Sequence, residues 1–461
     1  MITAISNEIE KVRETIASGS IYPRVAPDEI RKHLGAKYDF SKKMSLDEIV
    51  VDVERMMQEW QVQITHPRYF GLFNPNVMPA SVVADVLVAI YNPQLANWRT
   101  SPAANEIERH TLGWLTEKFG LPSQAIATFT SGGSEANLTA IIAALTRSFP
   151  QYGERGLQAL GGTPVLYLSR EAHNGYNKLA HITGIGRAGI RSVPTDVKLR
   201  MDIKELRRMI LEDQRDGYAP FMVVGTAGTT GTGAIDPLIE IGSVCSELGL
   251  WFHADAAWGG AVAVSPKLKH HLRGIEGADS ITCDAHKWLS VPMGAGMFFC
   301  RHRESIDQAF RTSITYMQGE QEGPVFDPLT HSIQWSRRFI GLKLFMALAE
   351  QGESGYAEMI EQQAALGDLL RGLLAESGWR IVNDTPLPLV CFTREGLDVS
   401  AFLDSLRDRQ VAWMSPVSVG GVPAIRACIT NFSTTETDVR TVVHAMNEIA
   451  VQQNADANVC A

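Results

Sequence analysis

No run of about 18 uninterrupted apolar residues occurs anywhere in this 461-residue chain, so nothing in it reads as a membrane span. Clustered positive charge is lacking as well. The 42 Lys and Arg are outnumbered by 51 Asp and Glu, and the formal net charge is -9. That balance argues against nucleic acid or an anionic membrane surface as a partner. Cysteine is scarce. The six cysteines, Cys245, Cys283, Cys300, Cys391, Cys428 and Cys460, are dispersed with no Cys-x-x-Cys pair. The spacing fits neither a disulfide framework nor a zinc site, so reduced thiols, a cytoplasmic setting and no bound metal are expected. Residues 1–16 alternate Glu, Lys and Arg with apolar side chains and lack the apolar core of a secretory leader. Internal repeats and low-complexity tracts are absent too.

What is present is an α/β pattern. Residues 1–60 read as helices around a Pro-containing turn at 21–27, with an amphipathic stretch at 45–60. So little core of its own implies that this segment packs on something else, such as a second subunit. Residues 61–335 form the expected large domain. Short β-rich runs at 125–130, 165–168, 221–226, 250–253, 280–283 and 296–300 alternate there with helical stretches. Such alternation predicts a mostly parallel, helix-covered sheet with ligands at the carboxyl ends of its strands. The polar, Gly- and Pro-containing stretch 311–335 reads as a mobile loop. Residues 336–461 form the expected small α+β domain. A helix over 334–351 leads into it, further helices are expected at 356–376 and 399–410, and strands near 388–393 and 425–430. The tail after Val451 reads as frayed.

Four local sequences fall at the predicted strand ends. Thr130-Ser131-Gly132-Gly133-Ser134-Glu135 follows a strand and opens a helix, where glycines admit an anion close to free backbone N–H groups and Ser134 adds a hydroxyl. Alone, such a turn is an ordinary helix cap. It matches neither Gly-x-x-x-x-Gly-Lys-Ser/Thr nor Gly-x-Gly-x-x-Gly. Asp255, in His253-Ala254-Asp255-Ala256-Ala257-Trp258-Gly259-Gly260, is a carboxylate among small apolar residues. Burying it is costly unless a cation such as a protonated ring nitrogen pairs with it; the bland alternative is a helix N-cap.

Lys287, in Asp284-Ala285-His286-Lys287-Trp288, stands where a small-molecule site belongs and is able to form an imine with an aldehyde. A single lysine is ordinarily a solvated surface charge. Its place beside two other strand-end motifs sets this one apart. Ala227-Gly228-Thr229-Thr230-Gly231 supplies a Gly-rich turn, with Thr230 as a candidate contact to a ring hydroxyl and Asp236 as a cap for the next helix. His173 either stacks on a flat ring or is a plain loop histidine.

These residues closely resemble the group II pyridoxal-phosphate decarboxylases, the family of glutamate, aromatic amino acid, histidine and diaminobutyrate decarboxylases. The likeness runs from about His66 to Asn431. It implies the type I, aspartate-aminotransferase-like fold, a homodimer with shared sites, and pyridoxal 5'-phosphate as cofactor. On that resemblance Lys287 carries the cofactor, Asp255 faces its ring nitrogen and His173 stacks on the ring. Thr230 lies near the ring oxygen, and Gly133, Ser134 and His286 contact the phosphate. Arg426 matches an arginine that holds the substrate carboxylate in glutamate-type members, or else forms a salt bridge in the small domain. Phe73, Asn74 and Trp98 lie in stretches that line the substrate pocket in relatives. Leu72, Phe73 and Trp98 suit an apolar side chain, whereas Arg68 and Arg99 suit an acidic one. The paired Arg337 and Arg338 are expected to be structural.

One departure stands out. Many members carry a tyrosine on the loop before the paired arginines, and it reprotonates the substrate after carbon dioxide leaves. Residues 323–330 contain none; Phe326 sits near that place and Tyr316 lies earlier. The expected reaction is decarboxylation of an L-amino acid to an amine. An aldehyde synthase or another lyase or transaminase on the same cofactor is the runner-up, and an inert α/β binding protein the remote alternative.

Overall fold

The computed structural model describes residues 2–73, 76–310 and 327–460. Seven strands build the main sheet: β1 (Ile126–Thr130), β2 (Pro164–Ser169), β3 (Ile190–Val193), β4 (Ala219–Thr226), β5 (Trp251–Asp255), β6 (Ser280–Asp284) and β7 (Gly296–Cys300). Their order is β1-β7-β6-β5-β4-β2-β3. Only β7 runs against the others, pairing antiparallel with β1 and β6. The central strands β2, β5, β6 and β7 are buried along their whole length, as strands covered by helices on both faces must be. This is the expected mostly parallel sheet, and a large apolar core from Phe73 to Cys428 packs on it.

The second sheet comprises β8 (Arg380–Ile381), β9 (Leu389–Thr393), β10 (Ser415–Val419) and β11 (Val422–Cys428), ordered β10-β11-β9-β8 and antiparallel throughout. Its own core gathers Leu366, Phe392, Phe402, Ile425 and Met446, and also Phe70 from far upstream. Phe70 is stitched in through backbone bonds, its N–H to the Trp413 carbonyl (2.9 Å) and its carbonyl from the Cys428 N–H (2.9 Å). That stitch carries the 66–73 segment across to the second sheet and fixes Phe73 beside it.

The first residues form three helices, Ile2–Ser18, Pro27–Lys37 and Leu46–Glu59. The last begins at a capping box in which Ser45 and Glu48 satisfy each other's backbone N–H. The helix predicted from 334 instead starts at Leu342. The Arg337 carbonyl accepts the Leu95 N–H (2.9 Å) and Glu108 takes the Gly341 N–H (2.8 Å), so these tertiary bonds hold the chain out of the helix until residue 342. The break expected between 351 and 356 is the non-helical Gly352, with φ 66°, inside Leu342–Glu376. The tail expected to fray is helical through Cys460. No helix among the described residues is long and apolar enough to cross a membrane.

Candidate active site

The carboxyl ends of β4, β5 and β6 lie side by side. Thr226 pairs with Asp255, and Asp255 pairs with Thr282. Lys287 follows β6 by a turn in which its N–H bonds the Asp284 carbonyl (3.1 Å), and its Nζ stands 3.1 Å from Asp284 Oδ2. Asp284 is buried. A Cβ added to Gly133 would lie 2.9 Å from that same Oδ2, so glycine is what lets the opening of the Gly133–Ser148 helix close on the lysine turn. Buried His286 lies under the preceding residue: a Cβ on Gly132 would meet its Cε1 at 3.4 Å. Its Nδ1 accepts the Ala295 N–H (3.1 Å), and burial lowers its pKa. Ser134 is exposed at the mouth of this cradle.

Asp255 is only 4 % exposed. Its Oδ2 accepts Asn137 Nδ2 (3.0 Å) and the Tyr176 hydroxyl (3.2 Å), and its Oδ1 accepts the Ala257 N–H (3.2 Å). It is therefore a hydrogen-bonded buried carboxylate and not a helix cap. Burial beside Asp255 raises the Tyr176 pKa well above its ordinary value, so the phenol stays a donor. His173 lies three residues before Tyr176, exposed, with its Nδ1 accepting the Gly175 N–H (3.1 Å).

On the other side, the Lys287 Nζ is 5.8 Å from the centroid of the buried Phe73 ring. That ring stacks on Trp258 (4.5 Å, 21°) and carries the Arg426 guanidinium 4.7 Å above it. Arg426 is 3 % exposed. Its Nε donates to the Thr230 carbonyl (2.8 Å) and its Nη1 to the Gly71 carbonyl, while Nη2 is buried without a partner among the described residues. Both bonds run to backbone carbonyls, and among the described residues Arg426 forms no salt bridge. Thr230 thus meets the site through its backbone.

Gly133, His286, Lys287, Asp255, Thr230, Arg426 and Phe73 are brought together, with His173 on the adjoining loop. Trp98 is not drawn in by its bonds: its amide bonds Asp327 (2.7 Å) and its indole Glu106 (2.9 Å). Asn74 and Phe326 lie outside the described residues. Asp236 is not the helix cap expected. Its carboxylate takes the Thr226 and Met201 N–H groups (2.8 and 2.7 Å), and burial raises its pKa to about 7. Sequence reasoning passed over Asn137, Tyr176 and Asp284 as site residues. The first stands one helical turn after Gly133, and that spacing was the available signal.

A strand-end lysine, a buried carboxylate on the neighbouring strand and a glycine cradle at a helix start define an α/β enzyme built around a cofactor. The pyridoxal-dependent decarboxylase conserved domain matches residues 27–395, and the chain belongs to this family. Tryptophan decarboxylase 2 of Oryza sativa subsp. japonica is 31 % identical over 359 residues, covering 76 % of this chain and 71 % of that protein. The 4-hydroxyphenylacetaldehyde synthase of Rhodiola rosea is 27 % identical, covering 96 % of this chain and 92 % of its own. The crystal structure of Catharanthus roseus tryptophan decarboxylase in complex with L-tryptophan matches with a TM-score of 0.89 at 25 % identity, over 98 % of this chain and 97 % of that one.

The fold is the type I fold, and the chain is a pyridoxal-phosphate-dependent amino acid decarboxylase, a carboxy-lyase. Its residues fit the cofactor on their own chemistry. They offer an amine for the aldehyde, a buried carboxylate for the ring nitrogen, a helix start at Gly133 where a Cβ would crowd Asp284, and a buried guanidinium whose Nη2 has no partner among the described residues.

Proposed function

We propose that Lys287 holds pyridoxal phosphate through its Nζ and that the substrate is an L-amino acid with an aromatic side chain. Bound there, the cofactor supplies an electron sink for the pair left when the bond from Cα to the carboxylate breaks. The observation that carries the reading is Asp255, a buried carboxylate with three neutral donors, at the end of the strand next to the one that leads to Lys287. No cation bonds it among the described residues, so a protonated ring nitrogen supplies the missing partner.

The other residues take roles that follow from their positions. Gly133 and Ser134 present the helix start to the phosphate, over His286. His173 offers a flat ring from the loop anchored by Tyr176, and Thr230 flanks the ring oxygen. Arg426 turns its unpaired Nη2 toward the substrate carboxylate, with Phe73 beneath it. The stacked Phe73 and Trp258, together with relatives named for tryptophan and tyrosine, support an aromatic substrate.

The exposed Leu46, Val51, Met57, Ile90 and Tyr91 support a homodimer, in which Trp98 lines the pocket. Five cysteines that are all unpaired and buried support the cytoplasm. The division into 1–60, 61–335 and 336–461 belongs to the same reading.

The holoenzyme is expected to show a band at roughly 420 nm that borohydride removes, absent in Lys287→Ala. It is also expected to release carbon dioxide faster from tryptophan, tyrosine or phenylalanine than from glutamate. A preference for glutamate would overturn the substrate assignment.

Phe326, with no tyrosine in 323–330, favours a second reading. In an aldehyde synthase the amino acid, dioxygen and water give the aldehyde, carbon dioxide, ammonia and hydrogen peroxide, one of each. Peroxide at parity with carbon dioxide selects this reading; amine without peroxide rejects it.

A further inference from the structure

One hydrogen-bonded chain behind the site has its direction fixed at every link. It begins at Trp251, whose indole Nε1–H can only donate, and which bonds Ser280 Oγ at 2.8 Å. The Ser280 hydroxyl proton is then free to go to His253 Nδ1, also at 2.8 Å. The Asp255 carboxylate can only accept, so Asn137 turns its amide nitrogen there and its Oδ1 needs a donor. The neutral His253 therefore carries its proton on Nε2 and donates it to that Oδ1 at 3.0 Å, with Thr282 Oγ1 a longer neighbour at 3.5 Å. Asn137, its oxygen occupied, has its amide nitrogen turned to Asp255 Oδ2 at 3.0 Å. The Tyr176 hydroxyl completes that oxygen. All seven side chains are buried. Burial holds the His253 pKa down to about 4, so no charge stands behind the carboxylate at neutral pH.

A carboxylate offers about four acceptor places, two on each oxygen. Asn137 and Tyr176 fill both on Oδ2, and the Ala257 N–H takes one on Oδ1. Among the described residues one place is left, on Oδ1.

We propose that Tyr176, Asn137 and His253 are positioning residues that orient the Asp255 carboxylate and leave a single Oδ1 acceptor place for the ring nitrogen of the cofactor. The proposal rests on the reading that Asp255 faces that nitrogen. A phenylalanine would fill the space of Tyr176 without a buried hydroxyl to satisfy, so the hydroxyl earns its place through the bond to Asp255.

The test measures how tightly the full-length apoenzyme binds pyridoxal phosphate and its analogue with carbon in place of the ring nitrogen, read by tryptophan fluorescence. Residues acting through that nitrogen affect only the first ligand; residues that merely support the fold affect both. Tyr176→Phe is expected to reduce the preference for pyridoxal phosphate by about tenfold, the scale of one hydrogen bond to a charged group. Asn137→Leu, which removes the amide at nearly constant volume, is expected to reduce it further. Asp255→Ala is expected to abolish it. If Asp255→Ala abolishes the preference while Tyr176→Phe and Asn137→Leu leave it intact, the positioning proposal fails and the Asp255 reading stands. A preference that survives Asp255→Ala overturns both.

Discussion

Lys287 Nζ and Asp284 Oδ2 stand 3.1 Å apart at the end of β6, and the other oxygen of that buried carboxylate has no hydrogen-bond partner among the described residues. The lysine is thus the cation that makes burial of Asp284 tolerable before any cofactor binds. Replacing Lys287 with Ala is expected to abolish borohydride-fixed cofactor and also to lower apoenzyme stability by about 1–3 kcal/mol, because the carboxylate loses its partner. Lys287→Arg keeps a cation there but cannot form the imine. It is expected to retain most of the stability with none of the covalent cofactor. Urea denaturation and mass spectrometry of borohydride-treated protein separate the two effects; an unstable Arg variant would count against the ion-pair role.

Arg426 has its guanidinium committed on two edges, to the backbone carbonyls of Thr230 and Gly71, and its Nη2 has no partner among the described residues. Charge-assisted bonds to a carboxylate are among the strong ones. Arg426→Gln is expected to lower kcat/KM by about a hundredfold, the scale of losing one desolvated charged partner. Affinity for the amine product, which lacks the carboxylate, should move little. Equal losses for amino acid and amine would mean that Arg426 only braces the loop.

The sheet, and with it the place of Lys287 after a strand end, was legible because the strands are short apolar runs bounded by turns; β7 was read to the residue. Strand β3 escaped because Ile190–Val193 is a four-residue edge strand, half-exposed and polar in its middle. β8 has two residues, and β10 opens Ser-Pro and is only partly buried. The helix start at Leu342 was misplaced because it is decided by Glu108, which lies 233 residues before Gly341. The same distance problem hid Asn137 and Tyr176, which reach Asp255 across 118 and 79 residues. A motif shows which residues adjoin in the chain and gives no sign of which donors a distant carboxylate collects.

Glu108 also accepts from Arg337 Nη2 at 2.5 Å, and both side chains are almost wholly buried. Arg338, its neighbour, bonds exposed-side Asp85 at 2.8 Å, so the structural role expected of the arginine pair falls mainly on Arg337. Removing either partner of the buried pair strands a charge. Glu108→Leu or Arg337→Met is expected to cost about 3–5 kcal/mol, whereas the double substitution should cost less than either alone. Denaturant midpoints for the three variants check this; additive losses would show that the two side chains do not act as a pair.

Three buried groups make stability depend on pH with opposing signs. Burial holds the pKa of His66 and of His253 down to about 4, whereas unfolded histidine titrates near 6.5. Their contribution is complete above about pH 6.5 and is lost as the pH falls toward 4, because the unfolded chain takes up protons that the folded one refuses. Asp236 behaves in reverse. Its pKa is raised from 3.8 to about 7, so its contribution is present below about pH 4 and lost as the pH rises toward 7. Each group at full linkage changes the unfolding free energy by about 1.4 kcal/mol per pH unit. His66→Gln is therefore expected to flatten the acid-side decline relative to the unsubstituted protein, and Asp236→Asn to steepen it. Urea-unfolding free energies at intervals from pH 4.5 to 6.5 give both slopes, and slopes that shift in the same direction would rule the assignment out.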